Sequence, residues 1–160
     1  MNIFYKIRNI IISFVYTRLL KPILFFFDPE FIHDLFVFKG SILGKFAITR
    51  YLTRVLFGYK NSRLSQNILG INFANPVGLS AGFDKNIELT DIIDSVGFGF
   101  IEVGSVTAKP YGGNPRPRLA RIGKLKSLWV WYGLKNLGAV VLSKKLSTKT
   151  HRLPIGVNIA

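Results

Sequence analysis

The first part of the chain carries apolar positions at helical spacing. Residues 2–20 are predicted to form an amphipathic helix, whose apolar face includes Ile3, Ile7, Ile10 and Phe14. A second helix is predicted to begin after Asp28, because this side chain can cap a helix and Pro29 suits the first helical position. The apolar face of this second helix includes Phe31, Leu35, Phe38 and Ile42. A third, short helix is predicted at residues 52–57.

The pattern changes at Ile68, where short apolar runs begin to alternate with helical segments. Residues 68–73 predict a small hairpin. The elements predicted after it are strands at 77–81, 98–103 and 155–159, helices at 86–95 and 136–146, and a long loop at 108–126. This alternation predicts an α/β fold with a parallel sheet. Three strands leave unpaired sheet edges and the last ends beside Ala160, so we expect the sheet to be truncated.

The charge of the chain is strongly positive, with 22 Lys and Arg against 8 Asp and Glu and a net charge of +14. Such a surplus favours anionic partners: nucleic acid, a membrane surface, or phosphorylated or carboxylated small molecules. No acidic residue follows Glu102. This asymmetry indicates either a lysine-rich coding bias or acidic partners outside this chain. The absence of cysteine excludes disulfides, thiolate metal sites and thiol nucleophiles.

The basic character of the first helix favours a membrane surface, since no acidic residue precedes Asp28. The longest uncharged run, residues 9–17, is far shorter than the roughly 20 residues of a spanning helix. No signal-peptide cleavage pattern accompanies it. We therefore expect this helix to lie in the membrane interface, with its cations on lipid headgroups. The alternative is an ordinary helix packed on the domain.

The stretch from Asn75 to Lys85 combines a turn, a strand and a loop of small residues. Asn75 before Pro76 favours a turn, and residues 77–80 suit a buried parallel strand. The small residues Ala81-Gly82 would let a flat ligand approach the backbone closely, and Lys85 would place a cation beside that ligand. Glycine loops are common, so the rest of the chain has to decide whether this one forms a site.

A series of motifs runs through nearly the whole chain. They are Asp28-Pro29-Glu30 with His33, 75–79, 81–85, 97–107, 113–119 with Arg121, Gly133 with 136–138, and 156–159. Their order and spacing resemble those of the membrane-associated, quinone-dependent dihydroorotate dehydrogenases of pyrimidine synthesis. The resemblance implies a helical membrane module (residues 1–58, the helical module), a linker (59–67) and a partial FMN-binding barrel (68–160). The barrel would be a truncated (β/α)8 TIM barrel.

The resemblance implies an enzyme that oxidises dihydroorotate to orotate with hydride transfer to FMN, which ubiquinone re-oxidises. Active sites of such barrels lie at the carboxyl ends of the strands. The residues that would hold FMN there are Ala81, Gly82, Phe83, Asp84, Lys85, Ser105 and Asn158. Lys85 and Gly133 would contact the substrate. His33 and Arg121 would contact the quinone head.

Each of these residues also has a structural interpretation. Asp84 is typical of a helix start, and Lys85 alone could be a solvated surface lysine. Ser105 stands where the family usually has threonine, but it keeps a hydroxyl. Ser105 and Asn158, taken alone, would be ordinary residues at strand ends.

The sequence departs from the family pattern at residues 130–136, which read Val-Trp-Tyr-Gly-Leu-Lys-Asn where the family commonly has Asn-Arg-Met-Gly-Phe-Asn-Asn. Val130 cannot make the hydrogen bonds of an amide. Another FMN-dependent βα-barrel oxidoreductase is therefore an alternative. The catalytic serine and the phosphate-binding loops would lie beyond Ala160. We therefore assign no catalytic base and no metal ligand, and we expect the 160-residue chain by itself not to turn over dihydroorotate.

The predicted location is peripheral, on the cytoplasmic face of a bacterial inner membrane or, in a eukaryote, at the mitochondrial inner membrane. A basic, non-catalytic membrane-surface protein is the alternative from another functional class. Nucleic acid is not a predicted partner, because no recognition motif accompanies the charge.

Overall fold

A computed structural model describes residues 3–160. The chain begins with α1 (Ile3–Val15), a π-helical turn (Tyr16–Leu20) and α2 (Lys21–Phe26), which follow one another without a break. The predicted helix is thus confirmed over most of its length but continues past residue 20, and its predicted position 2 lies outside the described residues. Pro22, which has no backbone N–H to donate, follows just after the π-helical turn, where the α-helical hydrogen-bond pattern is already interrupted.

The helix from Ile3 to Phe26 has 24 residues and is long and apolar enough, by length and composition alone, to cross a membrane. None of its residues is buried against the rest of the chain. The expectation that this stretch is too short for a span was wrong about length, because it counted only the uncharged run and not the continuous helix. An exposed helix of this kind also fits the membrane interface.

Two further helices complete the helical module, α3 (Pro29–Lys45) and α4 (Ala47–Phe57). The predicted cap of α3 is confirmed, since the Asp28 carboxylate accepts a hydrogen bond from the Phe31 N–H at 2.9 Å. α4 begins five residues earlier than the predicted third helix. α4 also contacts the next part of the chain, where Arg54 pairs with Asp94 at 2.9 Å.

The predicted parallel sheet is confirmed. It consists of β3 (Gly78–Leu79), β4 (Phe100–Val106) and β7 (Ile155–Ile159), in the order β3-β4-β7. The predicted hairpin precedes it as β1 (Gln66–Ile68) and β2 (Ile71–Phe73). Because all three strands of the sheet run in one direction, the segments that follow them meet at one edge.

The main core lies on the helix-covered face of this sheet. Ile101 and Val103 of β4 are fully buried and pack with Leu142 of α6 (Ala139–Ser147) and with Ile87 and Ile93. Since successive strand residues point to opposite faces, Glu102 lies on the other face of β4.

The predicted helix at residues 86–95 is wrong over most of its length, because only α5 (Ile93–Val96) is helical. The Asp84 carboxylate accepts the backbone N–H groups of Glu88 and Leu89, each at 2.8 Å. Ile87 adopts a left-handed conformation with φ of 60°. The preceding segment is therefore held as a series of turns, from which Ile87 still packs into the core.

The predicted long loop at 108–126 contains one strand that the sequence analysis missed, and a second missed strand directly follows it. β5 (Leu119–Ile122) pairs antiparallel with β6 (Ser127–Val130). The two strands are joined through Lys126, which lies in the left-handed region with φ of 49°. The glycines and prolines before β5 are typical of a loop, whereas the pairing of β5 with β6 depends on the tertiary fold.

Basic residues after Glu102 find acidic partners earlier in the chain. Lys149 pairs with Asp91 at 2.5 Å and Arg152 lies 3.6 Å from Asp94. The suggestion that the partners of the late basic residues lie outside this chain is wrong for these residues.

A buried ion pair joins the helical module to the segment before β5. Glu30 in the first turn of α3 is 2% exposed, and its Oε1 lies 2.7 Å from Nη2 of Arg118, which is 6% exposed. Arg116 adds a contact of 2.9 Å to the same oxygen. Burial opposes ionisation of Glu30, but hydrogen bonds from Arg118 and Arg116 hold its pKa below the ordinary value. The pair is therefore ionised at neutral pH.

We expect Glu30→Gln to lower the free energy of unfolding by about 3–5 kcal/mol, because it leaves the Arg118 charge buried without a counter-charge. Urea unfolding at neutral pH measures this. Since the folded-state pKa of Glu30 is depressed, its contribution is lost as the pH falls below about 4.5. The variant should therefore differ from wild type less in acid than at neutral pH.

Glu88→Gln is the matched control, because Glu88 forms no ion pair with any residue between 3 and 160. Equal destabilisation by both substitutions would contradict the assigned role of the pair.

Candidate functional site

The loop that follows β3 is tied to the end of β4. The N–H of Gly82 donates to the carbonyl of Gly104 at 2.9 Å, and the N–H of Gly104 donates to the carbonyl of Asp84 at 3.1 Å. These bonds hold residues 81–85 at the carboxyl edge of the sheet, where parallel α/β sheets carry their ligand sites.

The surface over Gly82 is open. Gly82 adopts φ of +94°, and a Cβ built there would meet no atom within 4 Å. The backbone of Ala81 and Gly82 can therefore be approached by a flat group, and the neighbouring Phe83 side chain is 40% exposed. This arrangement fits a planar flavin ring.

Ser105 and Asn158 meet at the same edge, from β4 and β7. The Ser105 hydroxyl donates to the Asn158 side-chain carbonyl, and the Asn158 amide donates to Oε1 of Glu102 at 3.2 Å. Both side chains are only partly buried. The structure thus brings together, by hydrogen bonds, residues that the sequence separates by more than 50 positions.

The Asp84 side chain has a structural role. It is fully buried, and both carboxylate oxygens are occupied by the backbone N–H groups of Glu88 and Leu89. Only the backbone of Asp84 remains to border a ligand at this loop.

Lys85 lies between the loop and the helical module. Its Nζ is 4.0 Å from the centroid of the Tyr132 ring and 3.5 Å from Nε2 of His33. These three residues and Lys135 line a cavity of about 220 Å³. Burial lowers the pKa of Lys85 to about 8; the nearby Asp34 opposes this shift and Lys135 adds to it. Lys85 is thus a cation that loses its charge as the pH rises through about 8.

His33 connects α3 directly to the loop. Its Nε2 is 2.8 Å from the Phe83 carbonyl, and its Nδ1 is 3.0 Å from Oδ1 of Asp34. The His33 ring also packs edge-on against the Phe83 ring, with centroids 5.0 Å apart. The helical module therefore contacts the loop that carries Lys85.

Arg121 contacts the helical module at another point. From β5 it donates to the Phe27 carbonyl at 2.7 Å, and its guanidinium lies 4.5 Å from the centroid of the Phe25 ring. The described contacts do not join Arg121 to His33. His33 and Arg121, the two residues predicted to contact a quinone, thus belong to two separate contacts between the helical module and the rest of the chain.

Gly133 lies against the Asn114 side chain and needs to be glycine. It has φ of +68°, and a Cβ built there would lie 2.5 to 2.7 Å from atoms of the Asn114 side chain. Asn114 in turn donates to the carbonyls of Trp131 and, through its backbone, Tyr132, each at 2.9 Å. This packing fixes the backbone on both sides of Gly133.

Tyr132 belongs to the site, although the sequence analysis assigned it no role. It is 8% exposed, and its ring centroid lies 4.0 Å from the Lys85 ammonium and 4.8 Å from the Arg118 guanidinium. Burial raises its pKa, so the phenol stays protonated. Tyr132 and Lys85 are far apart in the sequence, so their contact leaves no local pattern. The position of Tyr132 directly before the motif residue Gly133 was a usable signal.

Comparison with known proteins identifies the family. The family model of dihydroorotate dehydrogenase matches residues 63–160. A relative from Acidithiobacillus ferrooxidans, named dihydroorotate dehydrogenase (quinone), is 41% identical over 144 residues, which are 88% of this chain and 39% of the relative. One of the same name from Christiangramia forsetii is 42% identical over 149 residues, 91% of this chain and 42% of the relative. The chain thus spans about two fifths of the length of these relatives.

Solved structures give the same result. The crystal structure of DHODH from Eimeria tenella in complex with ferulenol matches with a TM-score of 0.65 and 34% identity, over 82% of this chain and 35% of that one. The ligand-free form from the same organism matches with a TM-score of 0.63. The parallel sheet is accordingly part of a (β/α)8 barrel, as the sequence predicted. The chain belongs to the dihydroorotate dehydrogenase family.

Proposed function

We propose that this chain supplies the flavin-facing and quinone-facing part of an enzyme that oxidises dihydroorotate to orotate with a quinone as electron acceptor. The observation that carries this proposal is the position of Lys85, beside the open surface over Gly82 and against His33 of the helical module. We also propose the division into the helical module, the linker and the barrel part at residues 58 and 67.

FMN is the proposed cofactor, held by the backbone of residues 81–84 together with Lys85, Ser105 and Asn158. The open surface over Gly82 and the paired polar side chains of Ser105 and Asn158 support this assignment. Bound there, FMN would supply a hydride acceptor for dihydroorotate and an electron donor for the quinone. The amide of Asn158 and the hydroxyl of Ser105 would orient the flavin by hydrogen bonds at the carboxyl edge of the sheet.

Lys85 is the proposed cation for substrate and flavin. Its ammonium binds the carboxylate of dihydroorotate and stabilises negative charge that develops beside it, and partial burial strengthens both interactions. The cavity beside Lys85 includes Lys135, a second cation that favours an anionic substrate. Gly133 is the second proposed substrate contact, because it directly follows Tyr132, which lines the cavity.

The quinone, for which we propose ubiquinone, enters between the helical module and the barrel part. His33 and Arg121 are the proposed polar contacts for its head. Both lie where the two parts of the chain meet, and each packs against an aromatic ring, His33 against Phe83 and Arg121 against Phe25.

The helical module is proposed to bind the membrane surface peripherally. Its large apolar residues are exposed along α1 through α4, including Ile10, Phe14, Phe26, Phe38 and Ile48. Lys6, Arg8, Arg18 and Lys21 supply cations for anionic headgroups. The proposed location is the cytoplasmic face of a bacterial inner membrane, or the mitochondrial inner membrane in a eukaryote.

Activity can be tested in a chimera in which residues 1–160 replace the matching segment of the Acidithiobacillus ferrooxidans relative. We expect the chimera to carry FMN that dihydroorotate reduces under anaerobic conditions. Lys85→Ala should slow this reduction by about 10²-fold or more, because a cation is lost where charge develops. Stopped-flow absorbance of the flavin measures the rate.

Lys144→Ala, at an exposed position of α6, is the control and should leave the rate unchanged. A chimera that binds FMN but is not reduced by dihydroorotate would favour another FMN-dependent oxidoreductase, to which the replacement of the family asparagine by Val130 points.

The charge of Lys85 predicts a pH dependence. With a pKa of about 8, Lys85 becomes neutral at higher pH, so binding of the substrate carboxylate should weaken as the pH rises through 8. Competitive labelling of amines, read by mass spectrometry, should give a midpoint near 8 for Lys85. Because the folded-state pKa lies below its ordinary value of 10.5, stability should also rise between these two pH values.

Lys135→Gln removes a like charge and should raise this midpoint, whereas Lys144→Gln should leave it unchanged. A Lys85 midpoint near 10.5 in the wild-type chain would contradict the burial of its ammonium.

Membrane association predicts that Ile10→Gln with Phe14→Gln reduces co-sedimentation of the chain with anionic vesicles at least about tenfold, since two exposed apolar side chains no longer enter the lipid. Val140→Gln, at an 80% exposed apolar position of α6, is the control. Unchanged binding by the double variant would overturn the membrane role of α1.

A further inference from the structure

A cavity of about 720 Å³ lies at the amino edge of the sheet, opposite to the edge that carries Lys85. Residues that precede each of the three parallel strands line it: Asn75, Gly97 and Leu153. α1 and α4 close the other side through Tyr5 and Val55. The cavity is therefore separate from the proposed flavin and quinone site.

Directed contacts hold α1 against this cavity. Arg8 Nη1 donates to the carbonyls of Val55 and Gly58 at 3.0 and 2.8 Å, at the end of α4 where helix carbonyls lack partners. The rings of Tyr5 and Tyr59 pack edge-on with centroids 5.1 Å apart. The cavity is thus a defined space between α1, α4 and the sheet.

The lining of the cavity carries a surplus of positive charge. Its charged residues are Arg8, Arg54, Lys60, Arg152 and Asp94. Arg54 and Arg152 share the single carboxylate of Asp94, at 2.9 and 3.6 Å. Lys60 forms no ion pair within residues 3–160. Four cations against one carboxylate favour an anionic occupant.

The apolar part of the lining favours an amphiphile over a free anion. Phe4, Tyr51 and Val55 line the cavity and are 53%, 59% and 41% exposed. They continue into the exposed apolar faces of α1 and α4, to which Ile7 and Leu52 belong. An anionic head with an apolar tail would cover both the cations and this surface.

We propose that this cavity binds the phosphate headgroup of an anionic phospholipid. Lys60 and Arg152 contact the phosphate, and the acyl chains pack on Tyr51, Val55 and Phe4 of the lining. The proposal rests on the proposed membrane association of the helical module and adds a specific lipid site to it. A lipid held there joins α1 to α4 and so fixes how the helical module sits on the membrane.

The probe is dihexanoyl-phosphatidylglycerol below its micellar concentration, titrated calorimetrically into the full chain. We expect saturable binding of one lipid per chain. Lys60→Gln with Arg152→Gln should weaken binding at least about tenfold, because charge-assisted contacts to the phosphate are lost. Arg54 remains paired with Asp94 in this variant. Lys60→Gln alone, in an exposed segment, provides a milder variant with the same expected direction.

Lys109→Gln with Lys144→Gln removes the same charge at exposed positions outside the cavity and should change affinity by less than about twofold. Equal weakening by both pairs, or no saturable binding, would overturn the proposal. sn-Glycerol 3-phosphate should bind at least about tenfold more weakly than the lipid, because it lacks the acyl chains. Equal affinity would assign the cavity to a free phosphate and overturn the lipid assignment.

The Ile10→Gln and Phe14→Gln variant does not alter the cavity and should bind the soluble lipid like wild type. No vesicle binding by the wild-type chain, with saturable binding of the soluble lipid, would therefore count against the general membrane role alone. Intact vesicle binding without a soluble-lipid site would overturn only the cavity proposal.

Discussion

The buried ion pair between Glu30 and Arg118 is the interaction on which the arrangement of the chain depends. One carboxylate at the start of α3 receives the Arg118 guanidinium at 2.7 Å, and the same guanidinium donates to the carbonyls of Gly112 and Asn114, each at 2.9 Å. Arg118 therefore fixes the backbone of its own loop while it holds α3 in place. An unpaired charge at this depth would cost several kcal/mol, so the geometry is strongly constrained.

The ion pair reaches the proposed flavin site through one aromatic ring. Arg118 and Lys85 both lie over Tyr132, and Lys85 lies beside His33, three residues after Glu30 in α3. The helical module thus contacts the loop of Lys85 directly through His33 and indirectly through Arg118 and Tyr132. A shift of α3 would therefore change the surroundings of the Lys85 ammonium.

The helical module spans both edges of the sheet. α3 begins at the carboxyl edge, where His33 meets Phe83, and α4 ends at the amino edge, where Arg54 meets Asp94. Between these points Gly40 and Gly44 allow α3 to lie close against Leu89 and Asp91. The proposed redox site and the proposed lipid site therefore lie at opposite ends of the same pair of helices.

The sequence by itself determined the cap at Asp28, the parallel strands, the hairpin and the family motifs, because turn chemistry, apolar periodicity and spacing are local properties. Tertiary structure alone decided that Glu30 is a buried partner of Arg118, that Tyr132 lies under Lys85, and that residues 119–130 form two strands. It also overrode the helical pattern at residues 86–92, where the Asp84 carboxylate captures two backbone N–H groups. Each of these features joins or reorients groups by long-range contact, and the free energy of such a contact is not encoded in any local stretch.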